Sequence, residues 1–169
     1  APHDYVVVSG YNSPRQFIVA GHNNGVLALS KEVDKHDGDF IPFRMIPMKA
    51  DAPYHSALMT FLQPEIEAAL QDIHFKQPNF DIWSTVTGKF IQPSDNIRDI
   101  LCNQLITPVY WSQALEGVYR LGIEFFIDIG PQQIIRNLVK ENPILPPSFA
   151  FDELEDVTKI KQYSSLKHQ

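Results

Sequence analysis

Residues 111–140, WSQALEGVYRLGIEFFIDIGPQQIIRNLVK, decide the fold class of this chain. Residues 111–122 place their apolar side chains on one side of a helix, and Gly122 fits the position just after a helix C-terminus. Residues 123–130 are nearly all apolar, as in a parallel strand buried on both faces. Pro131 then suits the first position of a following helix. This order of helix, buried strand and helix predicts an α/β layered domain.

The first fifty residues have a different pattern. Two short β-branched runs, residues 4–10 and 15–21, lie close enough in sequence for a hairpin or a tight β-arch. Residues 23–36 fit a short helix. Residues 40–48 fit a third strand, which its two prolines confine to a sheet edge or make irregular. Strand, strand, helix and strand together predict a small open-faced α/β sandwich.

The middle of the chain and its end predict further helices and strands. Apolar residues recur at helical spacing over residues 56–73, where Pro64 restarts or kinks the helix. Residues 80–88 fit a strand ended by a turn. Residues 94–108 begin with helix-capping side chains and end before a proline, which predicts another helix. One more strand and a short polar helix are expected within residues 149–162.

Composition excludes several classes of function. The 169 residues include 20 acidic and 14 basic side chains, which gives a net charge of −6. This balance, without basic runs, argues against nucleic acid or an anionic membrane as the main partner. No apolar run approaches the roughly 20 residues of a membrane span. The single cysteine, Cys102, has no partner for an internal disulfide, so the sequence predicts a reducing compartment and a cytoplasmic location.

One histidine stands where a general base could act. In DAPYHSALM, residues 51–59, His55 lies between a proline-containing turn and the start of a helix. A histidine there either caps the helix or acts as a base, and the residues alone favour neither reading. A base of this kind needs a nucleophile, yet Gly-x-Ser-x-Gly does not occur in the sequence. The similar GHNNG, residues 21–25, has Asn23 in place of the serine, and an amide cannot attack a thioester.

Three other features of the sequence have both a structural and a functional interpretation. Gln104 falls near the centre of the apolar face of the predicted helix 94–108, where a buried amide would be either a structural anchor or part of a site. Cys102 lies near the end of that helix, which favours a buried, inert thiol. The six histidines lack metal-ligand spacing, and with one cysteine the sequence predicts no metal site.

Four motifs, in order and in register, resemble the C-terminal half of the malonyl-CoA:acyl-carrier-protein transacylases. The resemblance extends over roughly residues 4 to 141 and rests on YNSPRQFIVAG (11–21), APYHSALM (52–59), NQLITPVYW (103–111) and FFIDIGPQQII (125–135). It implies an α/β fold in two parts. Residues 4–50 would form a ferredoxin-like small subdomain, and residues 51–169 the C-terminal part of an α/β-hydrolase-like large subdomain.

The resemblance also implies an activity and site residues. In this family a serine within Gly-His-Ser-x-Gly takes the acyl group from coenzyme A and passes it to the phosphopantetheine thiol of an acyl carrier protein. His55 corresponds to the catalytic histidine, and the main-chain carbonyl of Gln104 to the group that holds its ring. Asn12 corresponds to a residue near the acyl-pantetheine site, and Tyr54 to a position associated with the choice of acyl group. The acyl-CoA is substrate, and no cofactor is implied.

The sequence departs from the family pattern in ways that keep the function open. The serine motif, the Gly-Gln-Gly segment of the oxyanion hole and the arginine that pairs with the malonyl carboxylate do not occur in these residues, which implies a partner segment bearing the serine. Thr85 stands where asparagine is usual, and Gln132 where glycine is common. A non-catalytic docking module and an acyl-thioester hydrolase are the alternatives. Residues 148–160 resemble the ends of free-standing acyltransferases of modular polyketide synthases, and a fatty-acid pathway is equally open.

Overall fold

The computed structural model describes residues 3–42, 45 and 52–166. Its contacts divide the chain into two units. One comprises the described residues up to Tyr11 together with those between Phe17 and Tyr110. The other comprises the turn Asn12–Gln16 together with the described residues from Trp111 onward.

The first unit begins with the expected hairpin and helix. Strands β1 (Val6–Tyr11) and β2 (Phe17–Gly21) pair antiparallel. Helix α1 (Asn23–Lys35) follows directly and confirms the helix predicted at 23–36. Gly25 sits early in this helix because a Cβ there would lie 2.4 Å from the carbonyl oxygen of Asp4. The close approach of the backbone therefore explains a glycine that helix propensity alone disfavours.

Two predictions for this region fall largely on residues that are not described. The third strand was expected at 40–48, but residues 43–44 and 46–51 are outside the described part of the chain. The subdomain boundary expected at residue 50 lies in the same gap. Both stay predictions.

The predicted helix 56–73 is two elements, joined where Pro64 indicated a restart. A 3₁₀ helix covers Ala57–Leu62, and α2 (Gln63–Leu70) follows with Pro64 in its first turn. Proline is accommodated there because the amide hydrogen it lacks would have no partner within the helix.

Helix α2 is tied at both ends to α3 (Ile97–Asn103), the helix predicted within 94–108. Near the start of α3, Arg98 Nη2 donates to the main-chain carbonyls of Gln71 and Ile73, each at 3.1 Å. At the end of α3, Asn103 Oδ1 accepts a hydrogen bond from Gln63 Nε2 at 3.3 Å. The two helices therefore run in opposite directions, with their register held from both ends.

The strand predicted at 80–88 is wrong in extent. The chain forms only two short strands there, β3 (Trp83–Ser84) and β4 (Lys89–Phe90), paired antiparallel. The buried Ser84 Oγ accepts hydrogen bonds from two amides of the intervening turn, and Gly88 adopts a φ of +67°. The polar residues after Trp83 therefore reverse the chain instead of extending the strand.

The second unit contains the helix–strand–helix order that the sequence predicted. Helix α4 (Trp111–Tyr119) ends shortly before Gly122, whose φ is +84°. Strand β5 (Phe126–Asp128) pairs in parallel with β6 (Ser148–Ala150), and α5 (Ile134–Lys140) lies between them in sequence, followed after β6 by α6 (Leu154–Leu166). The parallel strand is confirmed. Its burial on both faces is not, because Ile127 is 39% exposed in this chain.

A buried carboxylate joins three elements of this unit. Asp156 of α6 accepts hydrogen bonds from the amide of Ala150 at 2.9 Å and from Arg136 Nη1 at 2.8 Å. The amide of Ala150 first, and the Arg136 guanidinium second, hold the pKa of the Asp156 carboxyl below its usual value. The ionised carboxylate therefore contributes to the stability of this unit.

Replacing Asp156 by asparagine is expected to lower the free energy of unfolding by roughly 3 kcal/mol, because it leaves the partly buried Arg136 guanidinium without its counter-charge. Asp156 has a lower pKa in the folded state than in the unfolded state. Its contribution is therefore complete above the unfolded-state pKa and is lost as the pH falls through the folded-state pKa. Urea unfolding of the chain assembled with the implied partner segment, between neutral and acidic pH, should show a shallower acid loss of stability for Asp156→Asn than for wild type. Asp81→Asn, at an exposed aspartate, is the control, and equal slopes for Asp156→Asn and wild type would contradict this assignment.

Candidate active site

His55 adopts a backbone conformation that non-glycine residues seldom occupy. Its φ is +60°, in the left-handed region. It follows a tight turn in which the amide of Tyr54 donates to the carbonyl of Ala52 at 2.8 Å. Such conformations cost on the order of 1–3 kcal/mol and cluster at functional sites, where the surrounding structure maintains them.

Ser56 closes this turn and starts the helix that follows it. Its hydroxyl donates to the carbonyl of Pro53 at 2.6 Å and accepts from the amide of Leu58 at 3.4 Å. The residue is 2% exposed. Ser56 is thus the N-cap of the 3₁₀ helix Ala57–Leu62, a position that serine favours. His55 is held between this cap and the turn.

The ring of His55 contacts the main chain at the end of α3. Its Nδ1 lies 2.8 Å from the carbonyl oxygen of Gln104. A carbonyl oxygen can only accept, so Nδ1 carries the proton of this hydrogen bond. In the neutral ring Nε2 is then the unprotonated nitrogen, with a lone pair available to take a proton. The contact therefore sets both the orientation and the tautomer of the imidazole.

The carbonyl of Gln104 is available because α3 ends at Asn103. Gln104 is the C-cap residue, and the last carbonyls of a helix have no partner within it. The sequence prediction that the Gln104 side chain occupies the buried centre of a helix face is wrong, since Gln104 is exposed. The helical projection failed because the helix stops one residue before it. Only the main-chain contact implied by the resemblance is present.

The segment after Gln104 is fixed against the first strand. The amide of Val109 donates to the carbonyl of Ser9 at 2.9 Å, and the amide of Tyr11 donates to the carbonyl of Val109 at 2.8 Å. The rings of Tyr11 and Tyr110 stack, with centroids 5.4 Å apart. This parallel bridge holds in place the loop that begins at the carbonyl facing His55.

Asn12 lies in the second unit, at the start of the turn Asn12–Gln16. Its amide donates to the carbonyl of Gln16 at 3.0 Å, and its Nδ2 donates to Gln16 Oε1 at 2.9 Å. Ser13 anchors the turn, since its buried hydroxyl donates to Glu141 Oε2 at 2.8 Å and accepts from the amide of Gln16 at 3.0 Å. A role for Asn12 in substrate binding stays a prediction.

Two other positions bear on the comparison with the family pattern. Tyr54, directly before His55, is 38% exposed, so its ring is accessible to a ligand. Gln132, where the family commonly has glycine, has a φ of +75°, which glycine adopts without strain. The structure therefore gives a physical reason for the glycine that this sequence lacks.

Residues 3–42, 45 and 52–166 contain no group of three or more histidine, cysteine, aspartate or glutamate side chains that could hold a metal ion. Cys102 is buried, as expected for a packed thiol. None of the helices in the described ranges is long and apolar enough to cross a bilayer.

Ser56 is the site residue that sequence reasoning missed. The available signal was a serine immediately before an apolar helical run, which is a common helix start. Its link to His55 could not be predicted, because no residue pattern requires a left-handed φ at a non-glycine position such as His55.

Comparison with known proteins finds curated relatives and solved structures that are similar to this chain. No family model matches the chain. The malonyl CoA-acyl carrier protein transacylase of Escherichia coli K12 is 29% identical over 130 residues, which are 77% of this chain and 41% of the relative. The chain thus spans less than half the length of this curated relative.

Solved structures share the fold. A malonyl CoA-acyl carrier protein transacylase from Clostridium perfringens superposes with a TM-score of 0.87 at 22% identity, covering 100% of this chain and 53% of that one. A malonyl-transacylase solved with its type II polyketide synthase acyl-carrier protein has a TM-score of 0.80 at 24% identity, covering 93% and 50%. Malonyl-CoA:acyl-carrier-protein transacylases are among the homologues and structural neighbours of this chain, which has the fold of the C-terminal half of such a protein.

Proposed function

We propose that the chain is the base-bearing half of an acyltransferase. The assembled enzyme would move a malonyl-type acyl group from coenzyme A to the phosphopantetheine thiol of an acyl carrier protein through an acyl-serine. The observation that carries the proposal is the 2.8 Å contact between His55 Nδ1 and the Gln104 carbonyl, which leaves Nε2 free to act as a base. The names of the relatives supply the substrate class, and the cytoplasmic location is proposed with it.

In the first step His55 activates the serine. The serine hydroxyl gives its proton to Nε2 while its oxygen attacks the thioester carbonyl. The tetrahedral intermediate then collapses, the coenzyme A sulfur leaves, and the imidazolium returns the proton to that sulfur. Because a neutral carbonyl orients Nδ1, the ring is aligned without adding a carboxylate to a site that must also hold a malonyl carboxylate.

The second step repeats this chemistry with a different thiol. Nε2 of His55 takes the proton of the phosphopantetheine thiol, whose sulfur attacks the acyl-serine carbonyl. The serine oxygen leaves and recovers the proton from the imidazolium, which regenerates both groups. The same base therefore serves both half-reactions, as general acid–base chemistry requires of a reversible transfer.

The serine would come from an N-terminal partner segment. The sequence contains no Gly-x-Ser-x-Gly, and the matched relative from Escherichia coli extends well beyond the 41% that aligns with this chain. The parallel pair β5–β6 also favours a partner that covers the sheet, because parallel sheets are normally covered on both faces. In this chain the sheet is left partly uncovered, since Ile129 is 80% exposed and Phe151 is 60% exposed. A partner that adds strands and helices here would bury this apolar surface.

Asn12 and Tyr54 are proposed as substrate-binding residues. The turn that carries Asn12 is anchored through Ser13 to Glu141, so its side chain is presented from a fixed backbone. Tyr54 is next to the proposed base and 38% exposed, which supports a contact with the acyl chain. The acyl carrier protein is the proposed second partner, since one structural neighbour was solved in complex with such a carrier.

The test is reconstitution. The chain would be co-expressed with an N-terminal acyltransferase segment from the same source that contains Gly-His-Ser-x-Gly, then supplied with radiolabelled malonyl-CoA and phosphopantetheinylated carrier protein. Label should pass first to the N-terminal segment and then to the carrier. Rapid release of malonate instead of transfer would favour hydrolysis, and carrier binding without acylation would favour a docking module.

A further inference from the structure

The buried hydroxyl of Ser56 makes two hydrogen bonds to the main chain on either side of His55. It donates to the carbonyl of Pro53, three residues back, at 2.6 Å and accepts from the amide of Leu58, two residues ahead, at 3.4 Å. His55 is the residue directly before it in this closed turn. With 2% of its surface exposed, Ser56 has no access to bulk substrate.

We infer that Ser56 is a positioning residue, which holds His55 in its left-handed conformation and so keeps Nδ1 on the Gln104 carbonyl. This inference rests on the proposed function for its catalytic consequence, though not for the geometry. A histidine at a φ of +60° relaxes toward ordinary backbone angles when nothing holds it. Such a change would turn the Cα–Cβ bond and carry the ring away from its acceptor.

The acceptor side of the contact is fixed independently. Arg98 ties the start of α3 to the carbonyls of Gln71 and Ile73, and Asn103 ties its end to Gln63. The Gln104 carbonyl follows Asn103 directly. Because the Gln104 carbonyl is fixed in this way, the distance between it and the His55 ring depends on the turn that Ser56 closes.

A matched control separates positioning from simple stabilisation. Ser148 is also buried, at 7% exposure, and its hydroxyl also donates to a main-chain carbonyl, that of Arg136, at 3.0 Å. Ser148→Ala removes a hydrogen bond of the same kind from the other unit. Both alanine variants should lose stability to a similar extent, because each leaves a main-chain carbonyl without its hydrogen-bond donor.

The experiment measures the tautomer of His55 and the rate of acylation in the same samples. Protein carrying ¹⁵N-histidine, purified with its N-terminal segment, would be examined by NMR at a pH where the ring is neutral. Wild type and Ser148→Ala should show the proton of His55 on Nδ1. Ser56→Ala should lose this preference and acylate roughly 10–100-fold more slowly, with the KM for malonyl-CoA changed by less than about twofold. Ser56→Thr, which keeps the hydroxyl, should recover the tautomer at least in part.

The outcomes distinguish this inference from the proposed function. A Ser56→Ala protein with an unchanged Nδ1–H signal and a stability loss equal to that of Ser148→Ala would overturn the positioning role. So would an acylation rate no lower than that of the control. If wild type does not acylate at all, the proposed function fails, while a tautomer change confined to Ser56→Ala would still uphold the geometric inference. If Ser56→Ala does not fold, Ser56→Thr becomes the test variant. Loss of the Nδ1–H form in Ser56→Thr, despite the retained hydroxyl, would then count against the positioning role of Ser56.

Discussion

Replacing His55 by alanine is expected to slow acylation of the assembled enzyme by about 10²–10⁴-fold, the usual cost of losing a general base. Without Nε2, the turn loses the base proposed to take the serine proton, and the amide carbonyl of Gln104 is far too weakly basic to replace it. The ring is only half-buried, so the fold should persist. Burst-phase acylation with radiolabelled malonyl-CoA measures the effect, and thermal unfolding checks the fold.

Gln104→Ala is the matched control for that experiment. The variant keeps the main-chain carbonyl that faces His55, so its acylation rate should stay close to that of wild type. A loss as large as that of His55→Ala would mean that the glutamine side chain acts directly. Acylation of His55→Ala at the wild-type rate would remove the histidine from the mechanism altogether.

The second large effect concerns the chain without its partner, which is expected to show no acylation at all. The serines that could be suspected are buried. Ser9, Ser13 and Ser56 are each at most 2% exposed, and each hydroxyl already donates a hydrogen bond. None has the exposed, strained turn that presents a nucleophilic serine. Incubation with radiolabelled malonyl-CoA should leave the chain unlabelled.

The same isolated chain should associate or bind a hydrophobic dye. Large apolar side chains are exposed around β5 and β6, Ile129 and Phe151 among them, and exposed strand edges promote association. Gel filtration with and without the N-terminal segment tests this. A label on one of the three serines, or a monodisperse chain that melts cooperatively alone, would contradict the half-enzyme account and favour a docking module.

Local sequence patterns were enough to predict the α/β fold class, because tertiary contacts preserve the elements that those patterns favour. The apolar run at 123–130 is long enough, and is bounded clearly enough by Gly122 and Pro131, that only a strand between two helices fits it. The run at 80–88 misled because aromatic and β-branched residues also occur in a turn closed by side-chain hydrogen bonds. Ser84 provides such bonds, and no periodicity predicts them.

The site was only partly predictable. The Pro-x-His-Ser and Asn-Gln-Leu motifs identified His55 and the Gln104 main chain by resemblance. The helical projection, however, predicted a buried Gln104 side chain, which is exposed because the helix ends one residue earlier. The left-handed backbone at His55 and the closure by Ser56 depend on how the turn packs against α3. These features require the three-dimensional structure.

Intact-mass analysis of the N-terminal segment after exposure to malonyl-CoA shows whether this chain supplies the catalytic base. The segment would be prepared alone, with the wild-type chain and with the His55→Ala chain. The segment should gain the mass of one malonyl group rapidly, and only when the wild-type chain is present. Equally rapid acylation of the segment alone, or with His55→Ala, would contradict the claim that this chain supplies the catalytic base.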